Sequence, residues 1–320
     1  MRIIKHFPEH HTYVEPFGGS AAVLLAKTPA KIEVYNDLDC DLVNLFQVLR
    51  DQASFARLKE VCEKTAYSRA EFELALATCS DPIEAARRFI VRQRQSHGGI
   101  GRRWSYCIQD SQGGVSSAVR RWLSGIERLP AIHERLRHVQ IEFDDWEQVV
   151  KRYDTSKTLF YLDPPYPAHT RIGGGYKHEL RETDHHRLAE TLLQIKGMAV
   201  LSGYRCEAYR RLELSGWLRV DYDVPAYMSP RRKRRQESLW ISPSAQQTST
   251  DNPPLPQPER RGAYLTHWLR TETSEAIILG AIAELHASGK RVSFTAVGQH
   301  IGMSREHLSR RYRHLFSKKT

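Results

Sequence analysis

Strand, glycine turn, helix, strand, helix: this order opens the chain and constrains its fold more than any other feature. The stretch T-Y-V-E-P-F-G-G-S-A-A-V-L-L-A-K carries the first half. Tyr13 and Val14 end an apolar strand, and Pro16, Gly18 and Gly19 make the turn. Ser20 is placed to cap a helix over Ala21–Ala26. K-I-E-V-Y-N-D-L-D then reads as a second short strand ending at Asn36–Asp37. Leu42, Leu45, Phe46 and Leu49 follow at helical spacing. Strands joined through a helix run parallel, whereas hairpin-linked strands do not. A mostly parallel α/β sheet is therefore expected.

The same alternation resumes after a long helical and basic stretch over about residues 52–138. V-Q-I-E-F-D reads as a strand and W-E-Q-V-V-K-R as a helix. K-T-L-F-Y-L-D-P-P-Y is a strand, H-R-L-A-E-T-L-L-Q-I a helix and G-M-A-V-L-S-G-Y a strand. R-R-K-R-R-Q-E-S-L-W-I-S closes the sheet with a final strand. Three segments result: a domain over 1–243, a proline-rich polar linker over 244–262 and a small all-α domain over 263–320.

Ligands of such sheets sit beyond the carboxyl ends of the strands. Glycine in the first turn lets backbone approach a ligand, and Asp37 stands where an acid accepts hydrogen bonds from a ribose. The turn E-P-F-G-G-S is not G-x-G-x-x-G, so no glycine trio cradles a pyrophosphate. A nucleoside without phosphates fits better than a dinucleotide.

The stretch L-F-Y-L-D-P-P-Y-P carries the sharpest chemistry. Each proline fixes its own φ and pushes the residue before it out of the helical region. Asp163-Pro164-Pro165 is thus a stiff, extended strand end. Its carboxylate and carbonyls accept hydrogen bonds, and Tyr166 adds a flat ring. That set suits a planar group bearing an NH2, such as the exocyclic amine of a nucleobase.

The net charge of +11 points to a polyanionic partner, nucleic acid first. The five cysteines are scattered and contain no C-x-x-C pair, which suits free thiols in a reducing compartment and argues against a cysteine zinc site. His10–His11 and His185–His186 lack ligand partners in the sequence, so no metal is expected. No apolar stretch reaches membrane-spanning length. A cytoplasmic protein of a bacterial cell, nucleoid-associated or phage-encoded, is the expectation.

The order E-P-F-G-G, N-D-L-D, D-P-P-Y resembles the D12-class adenine-specific DNA methyltransferases, the DNA adenine methylase family, over about residues 8–243. The resemblance implies a Rossmann-like mixed sheet of the S-adenosylmethionine-dependent methyltransferases, with an inserted helical recognition region at about 52–138. D-P-P-Y rather than S-P-P-Y implies adenine N6 over cytosine N4. It further implies that Asp163, Pro164, Pro165 and Tyr166 hold an extruded adenine. Glu15, Phe17, Gly18, Asp37 and Asp163 would shape the S-adenosylmethionine pocket. The aromatic-x-G-G-K segment with which the family usually begins is not found ahead of the first strand, and Lys5 is a poor substitute for its lysine.

In the presumed recognition region, R-R-F-I-V-R-Q-R-Q-S-H-G-G-I-G-R-R-W-S-Y interleaves arginine, glycine and aromatics. Arg102 and Arg103 are candidates for double-stranded DNA, with Trp104 or Tyr106 as a wedge. Arg231 and Arg232, in R-R-K-R-R, would face phosphates. The last segment resembles a helix-turn-helix: Gly302 falls at its turn, Ser304 caps the second helix, and Arg305 and Arg310 lie on that helix. Two other readings stand beside the methyltransferase: a weak or inactive homologue that regulates by binding DNA through this module, and an enzyme acting on RNA. A cognate restriction nuclease is open.

Overall fold

The computed structural model describes residues 3–99, 101–108, 110–111, 114–167, 177–225, 234–247, 285, 293–301 and 309. The strands are β1 (Thr12–Glu15), β2 (Ile32–Asn36), β3 (Asp110–Ser111), β4 (Val115–Ser116), β5 (Val139–Glu142), β6 (Thr158–Leu162), β7 (Met198–Gly203), β8 (Leu218–Pro225) and β9 (Arg234–Ile241). The helices are α1 (Ala22–Ala26), α2 (Cys40–Arg50), α3 (Gln52–Glu63), α4 (Arg69–Leu74), α5 (Pro82–Arg94), α6 (Ser117–Ile126), α7 (Leu129–Leu136), α8 (Trp146–Tyr153), α9 (Glu182–Leu192), α10 (Glu207–Leu214) and α11 (Pro243–Gln247). A further helix spans Phe294–Ile301.

Two compact units divide the chain: Met1–Glu60, Thr78–Phe89 and Pro130–Pro258 form one, and Val61–Ala77, Ile90–Leu129 and Glu259–Thr320 the other. The first holds a seven-stranded sheet in the order β5-β2-β1-β6-β7-β9-β8. Pairing is parallel from β5 through β7, and β9 runs antiparallel to both β7 and β8. The mostly parallel sheet read from the sequence is thus the observed one.

Alternation along the strands gives the sheet two unlike faces. Val14, Val34, Phe160, Leu162, Ala199 and Leu201 belong to one buried cluster with Trp146, Val149 and Val150 of α8, Leu188, Ala189 and Leu192 of α9, and Ala208, Tyr209 and Leu212 of α10. Each large apolar side chain fully buried there contributes about 1.5–3 kcal/mol. Their strand neighbours Tyr13, Glu15, Glu33, Tyr35 and Tyr161 are equally buried but fall on the opposite, polar-bearing face. Here the Lys27 ammonium lies 2.6 Å from Glu33, and Arg135 of α7 pairs with the same carboxylate. Burial pushes the Glu33 carboxyl up, but hydrogen bonds from Arg135 and Lys27 outweigh it and hold the group below its ordinary range.

Helix starts follow their caps. Asp39 accepts from the Asp41 amide at the start of α2, and Asp145 from the Glu147 amide at the start of α8. α1 departs from expectation. Ser20 is exposed and does not cap it; Ala21, at φ 52°, occupies the cap position without a side-chain hydrogen bond. The helix begins at Ala22 because the turn closes one residue later, through Ala21 N–H donating to Gly18 O at 2.8 Å. The end of the sheet differs too. The strand of R-Q-E-S-L-W-I lies between β7 and β8, so β8 is the edge, not β9. β8 and α10 escaped the sequence reading.

In the second unit, α4 starts at Ser68, whose hydroxyl accepts from the Glu71 amide. Buried Trp122 of α6 donates its indole N–H to Thr65 O at 3.2 Å. Of the expected linker, residues 244–247 are helical and 248–262 lie outside the described residues. So does most of the expected helix-turn-helix, including Gly302, Ser304, Arg305 and Arg310. No helix among the described residues is long and apolar enough to cross a membrane.

Candidate active site

From β1 the chain steps outward through β2 toward β5; from β6 it steps the other way, to β7. The sheet therefore reverses between β1 and β6, and a crevice opens beyond the carboxyl ends of two such neighbours. Glu15 ends β1 and Asp163 directly follows β6. The two motifs singled out in the sequence flank this reversal.

The turn after β1 is braced from β2. Tyr35 O–H donates to Gly19 O at 2.7 Å, and Gly19 N–H donates to the Asp37 carboxylate at 2.8 Å. The other Asp37 oxygen accepts from the Asp39 amide at 2.7 Å. Asp37 is half-buried, and its lone pairs are not exhausted by two bonds. Asn36, fully buried, donates to Pro16 O and to Asp144 O and accepts from the Asp144 amide, so it ties the turn to the segment after β5.

The two glycines serve different ends. A Cβ on Gly18 would meet Tyr35 Cε2 at 2.2 Å and Asn36 O at 2.9 Å. Gly18 is required by packing against that ring. Gly19, at φ +48°, faces open space. Of the two, Gly19 has the open side, whereas the sequence reading singled out Gly18.

Glu15 is 2% exposed. Tyr13 O–H donates to it at 2.7 Å. Desolvation pushes its carboxyl up to about 8; hydrogen bonds from Tyr13 and the Leu24 amide oppose the shift, and the charge of Asp163 adds to it. At neutral pH Glu15 therefore holds a proton. Phe17 is half-buried, its ring 5.9 Å from that of Trp146.

Asp163 is open to solvent, yet protein surrounds it closely enough that desolvation raises its carboxyl to about 6. Tyr166 and Ser202 hydroxyls donate to it and oppose the shift, while Glu237 on β9 adds to it. Pro164 is buried, and Pro165 and Tyr166 are half-buried. The Tyr166 ring meets Tyr204 edge to face at 4.8 Å. A solvent-facing carboxylate, held ionised by two hydroxyls beside an aromatic wall, can accept from an amine and leave one face of a flat ring covered.

Two further features were not legible as site residues. Leu38 and Phe143 are exposed apolar side chains just past the carboxyl ends of β2 and β5. With Asn36 paired to Glu142 in parallel register, Phe143 comes next to the position of Asp37, and Leu38 follows Asp37 directly in the chain. An open glycine backbone, a carboxylate with spare acceptor capacity and two exposed apolar side chains fit a nucleoside: ribose hydroxyls at Asp37, a flat base against Leu38 and Phe143.

In the second unit, Arg102 and Arg103 are exposed. Tyr106 is 70% exposed and near-parallel to Trp104, and the Arg69 guanidinium lies over the Trp104 ring, 4.7 Å from its centre. Arg231 and Arg232 lie outside the described residues. The five cysteines are all free thiols. Asp39, Cys40 and Asp41 form a cluster with ligand spacing, but the Lys177 ammonium sits 2.6 Å from Asp39 and 3.4 Å from Asp41, supplying the positive charge itself.

The family model of the D12 class N6 adenine-specific DNA methyltransferases matches residues 1–215. That span is well over half the chain and includes both motifs, and the chain belongs to this family. No curated protein matches it.

Proposed function

We propose that this D12-class chain transfers a methyl group from S-adenosylmethionine to the N6 amine of adenine in duplex DNA. The observation that carries the reading is the pair of motifs facing one reversal point: the braced turn at Gly19 and Asp37 on one side, Asp163-Pro164-Pro165-Tyr166 on the other.

Asp37, Gly19, Leu38, Phe143 and Phe17 would hold the cofactor. Bound there, S-adenosylmethionine supplies an electrophilic methyl group on its sulfonium. Glu15 braces the pocket from beneath: it is buried, protonated at neutral pH and bonded to Tyr13 and the first turn of α1. Gly18 serves the same end by admitting the Tyr35 ring.

Asp163 and the Pro164 carbonyl accept the two N6 hydrogens, and the stiff proline pair keeps those acceptors in place. Held this way, the amine points its nitrogen lone pair toward the cofactor side, and orientation is the main catalytic contribution. Tyr166 covers one face of the base. The base leaves its stack at a cost of a few kcal/mol. A carboxyl with its affinity raised to about 6 also suits release of the surplus N6 proton, taking it from the nitrogen and passing it to water.

The region at about 52–138 reads the DNA in this account, with Arg102 and Arg103 on phosphates or guanine edges. Arg231 and Arg232 add phosphate contacts, and Arg305 and Arg310 of the C-terminal segment a second DNA contact. The enzyme works in the bacterial cytoplasm. Incubating the protein with tritiated S-adenosylmethionine and either mixed-sequence duplex DNA or structured RNA tests the activity. Label in N6-methyladenine is expected; label confined to structured RNA, or to no nucleic acid, overturns the reading.

A further inference from the structure

Ser202 interrupts an otherwise apolar strand. In β7, M-A-V-L-S-G, every residue is buried, and a buried hydroxyl must find a partner. Nothing in the sheet ladder needs a side-chain oxygen at this point.

Register explains the choice. β6 and β7 run parallel with Leu162 opposite Leu201, and both leucines belong to the apolar cluster under α8, α9 and α10. Successive side chains alternate. Asp163 and Ser202, each one position on, therefore turn together to the other face, and the Ser202 hydroxyl donates to the Asp163 carboxylate. The Ser202 backbone is held from its far side too, paired with Leu239 of β9, and the residue is 5% exposed. A donor fixed in a central strand is far stiffer than the other one, Tyr166, which follows the prolines and is half-buried.

We propose that Ser202 is a positioning residue for methyl transfer: its hydroxyl, locked in β7, sets the direction of the Asp163 carboxylate so that its free oxygen faces the adenine amine. This rests on the reading above that Asp163 holds that amine. The charged and titratable groups within electrostatic reach of Asp163 are Glu15 from β1, Tyr166 from its own segment, Tyr209 from α10 and Glu237 from β9. Ser202 adds a non-titrating donor held in the sheet. Losing it leaves the carboxylate with the Tyr166 donor, which lies outside the sheet, and with the repulsion of Glu237.

The test compares wild type, Ser202→Ala, Ser202→Thr and Asp163→Ala. Carbon-13 NMR of aspartate-labelled protein follows the Asp163 carboxyl directly, without any need for activity. In Ser202→Ala the Asp163 titration is expected to move to higher pH, and single-turnover methyl transfer to fall about tenfold, the scale of one hydrogen bond to a charged group. KM for DNA stays near wild type, and Ser202→Thr restores both readouts. An unmoved carboxyl titration, a transfer rate within twofold of wild type, or a threonine variant as poor as alanine overturns the proposal. If Asp163→Ala keeps full transfer, the reading of the site itself falls, while the NMR shift still decides whether the Ser202 bond exists.

Discussion

Replacing Glu15 with glutamine isolates the proton buried beneath the cofactor turn. The carboxyl is raised from 4.5 to about 8, first by desolvation and further by the charge of Asp163, against hydrogen bonds from Tyr13 and the Leu24 amide. The unfolded chain has no such burial and titrates near the ordinary value. Below that value both states are protonated and the group is neutral in the balance. Between it and about 8 the folded state carries a proton that the unfolded state has lost, so folding stability falls as pH rises. The slope is roughly 1.4 kcal/mol per pH unit, and by pH 7 the accumulated cost is on the order of 3 kcal/mol. Glutamine keeps the shape and an acceptor for Tyr13 but cannot ionise. Urea unfolding of both proteins from pH 5 to pH 8.5 measures the difference, in which every other titrating group largely cancels. The variant should gain on wild type steadily across this window and level off above it. A gap that does not change with pH would refute the buried-proton argument.

Three other outcomes follow from the same geometry. Gly18→Ala forces a methyl into the Tyr35 ring and should cost roughly 1–3 kcal/mol or more, whereas Gly19→Ala meets only left-handed backbone strain of about 1–2 kcal/mol; thermal melts in the reverse order would contradict the packing assigned to Gly18. Glu33→Ala strands the Lys27 and Arg135 charges together and should cost about 3–5 kcal/mol in urea, with a loss under 1 kcal/mol counting against the triad. Methyl transfer should fall as pH drops through about 6, where Asp163 takes up a proton and ceases to accept from the amine; single-turnover rates holding steady down to pH 4.5 would exclude that assignment.

The parallel half of the sheet was readable because its strands are short apolar runs punctuated by glycine, proline and acids, each separated by a helical period. The Asp163 motif was readable for a different reason: two prolines and an acid state their own geometry. β8 was not read, although Leu218, Val220, Tyr222 and Val224 alternate with Arg219, Asp221 and Asp223 as an edge strand should. The preceding helix, with arginines and leucines at its end, blurred that start. Ser20 looked like a cap because serine commonly is one; only the closed turn at Ala21 moved the helix start. Other features live between strands and leave no local trace. Gly18 and Gly19 are adjacent and chemically identical, and only the position of the Tyr35 ring tells them apart. The raised carboxyl of Glu15 and the bond from Ser202 to Asp163 depend on which strands become neighbours, which neither segment encodes alone.

The central claim is that Asp163 and its prolines hold an adenine for methylation. Sequencing DNA from bacteria that express the wild-type chain or Asp163→Ala, with each variant's fold checked by circular dichroism, tests it most directly. The account predicts N6-methyladenine at a defined sequence with wild type and background levels with Asp163→Ala. Unmodified DNA from cells holding folded wild-type protein, or equal modification by the alanine variant, would contradict it.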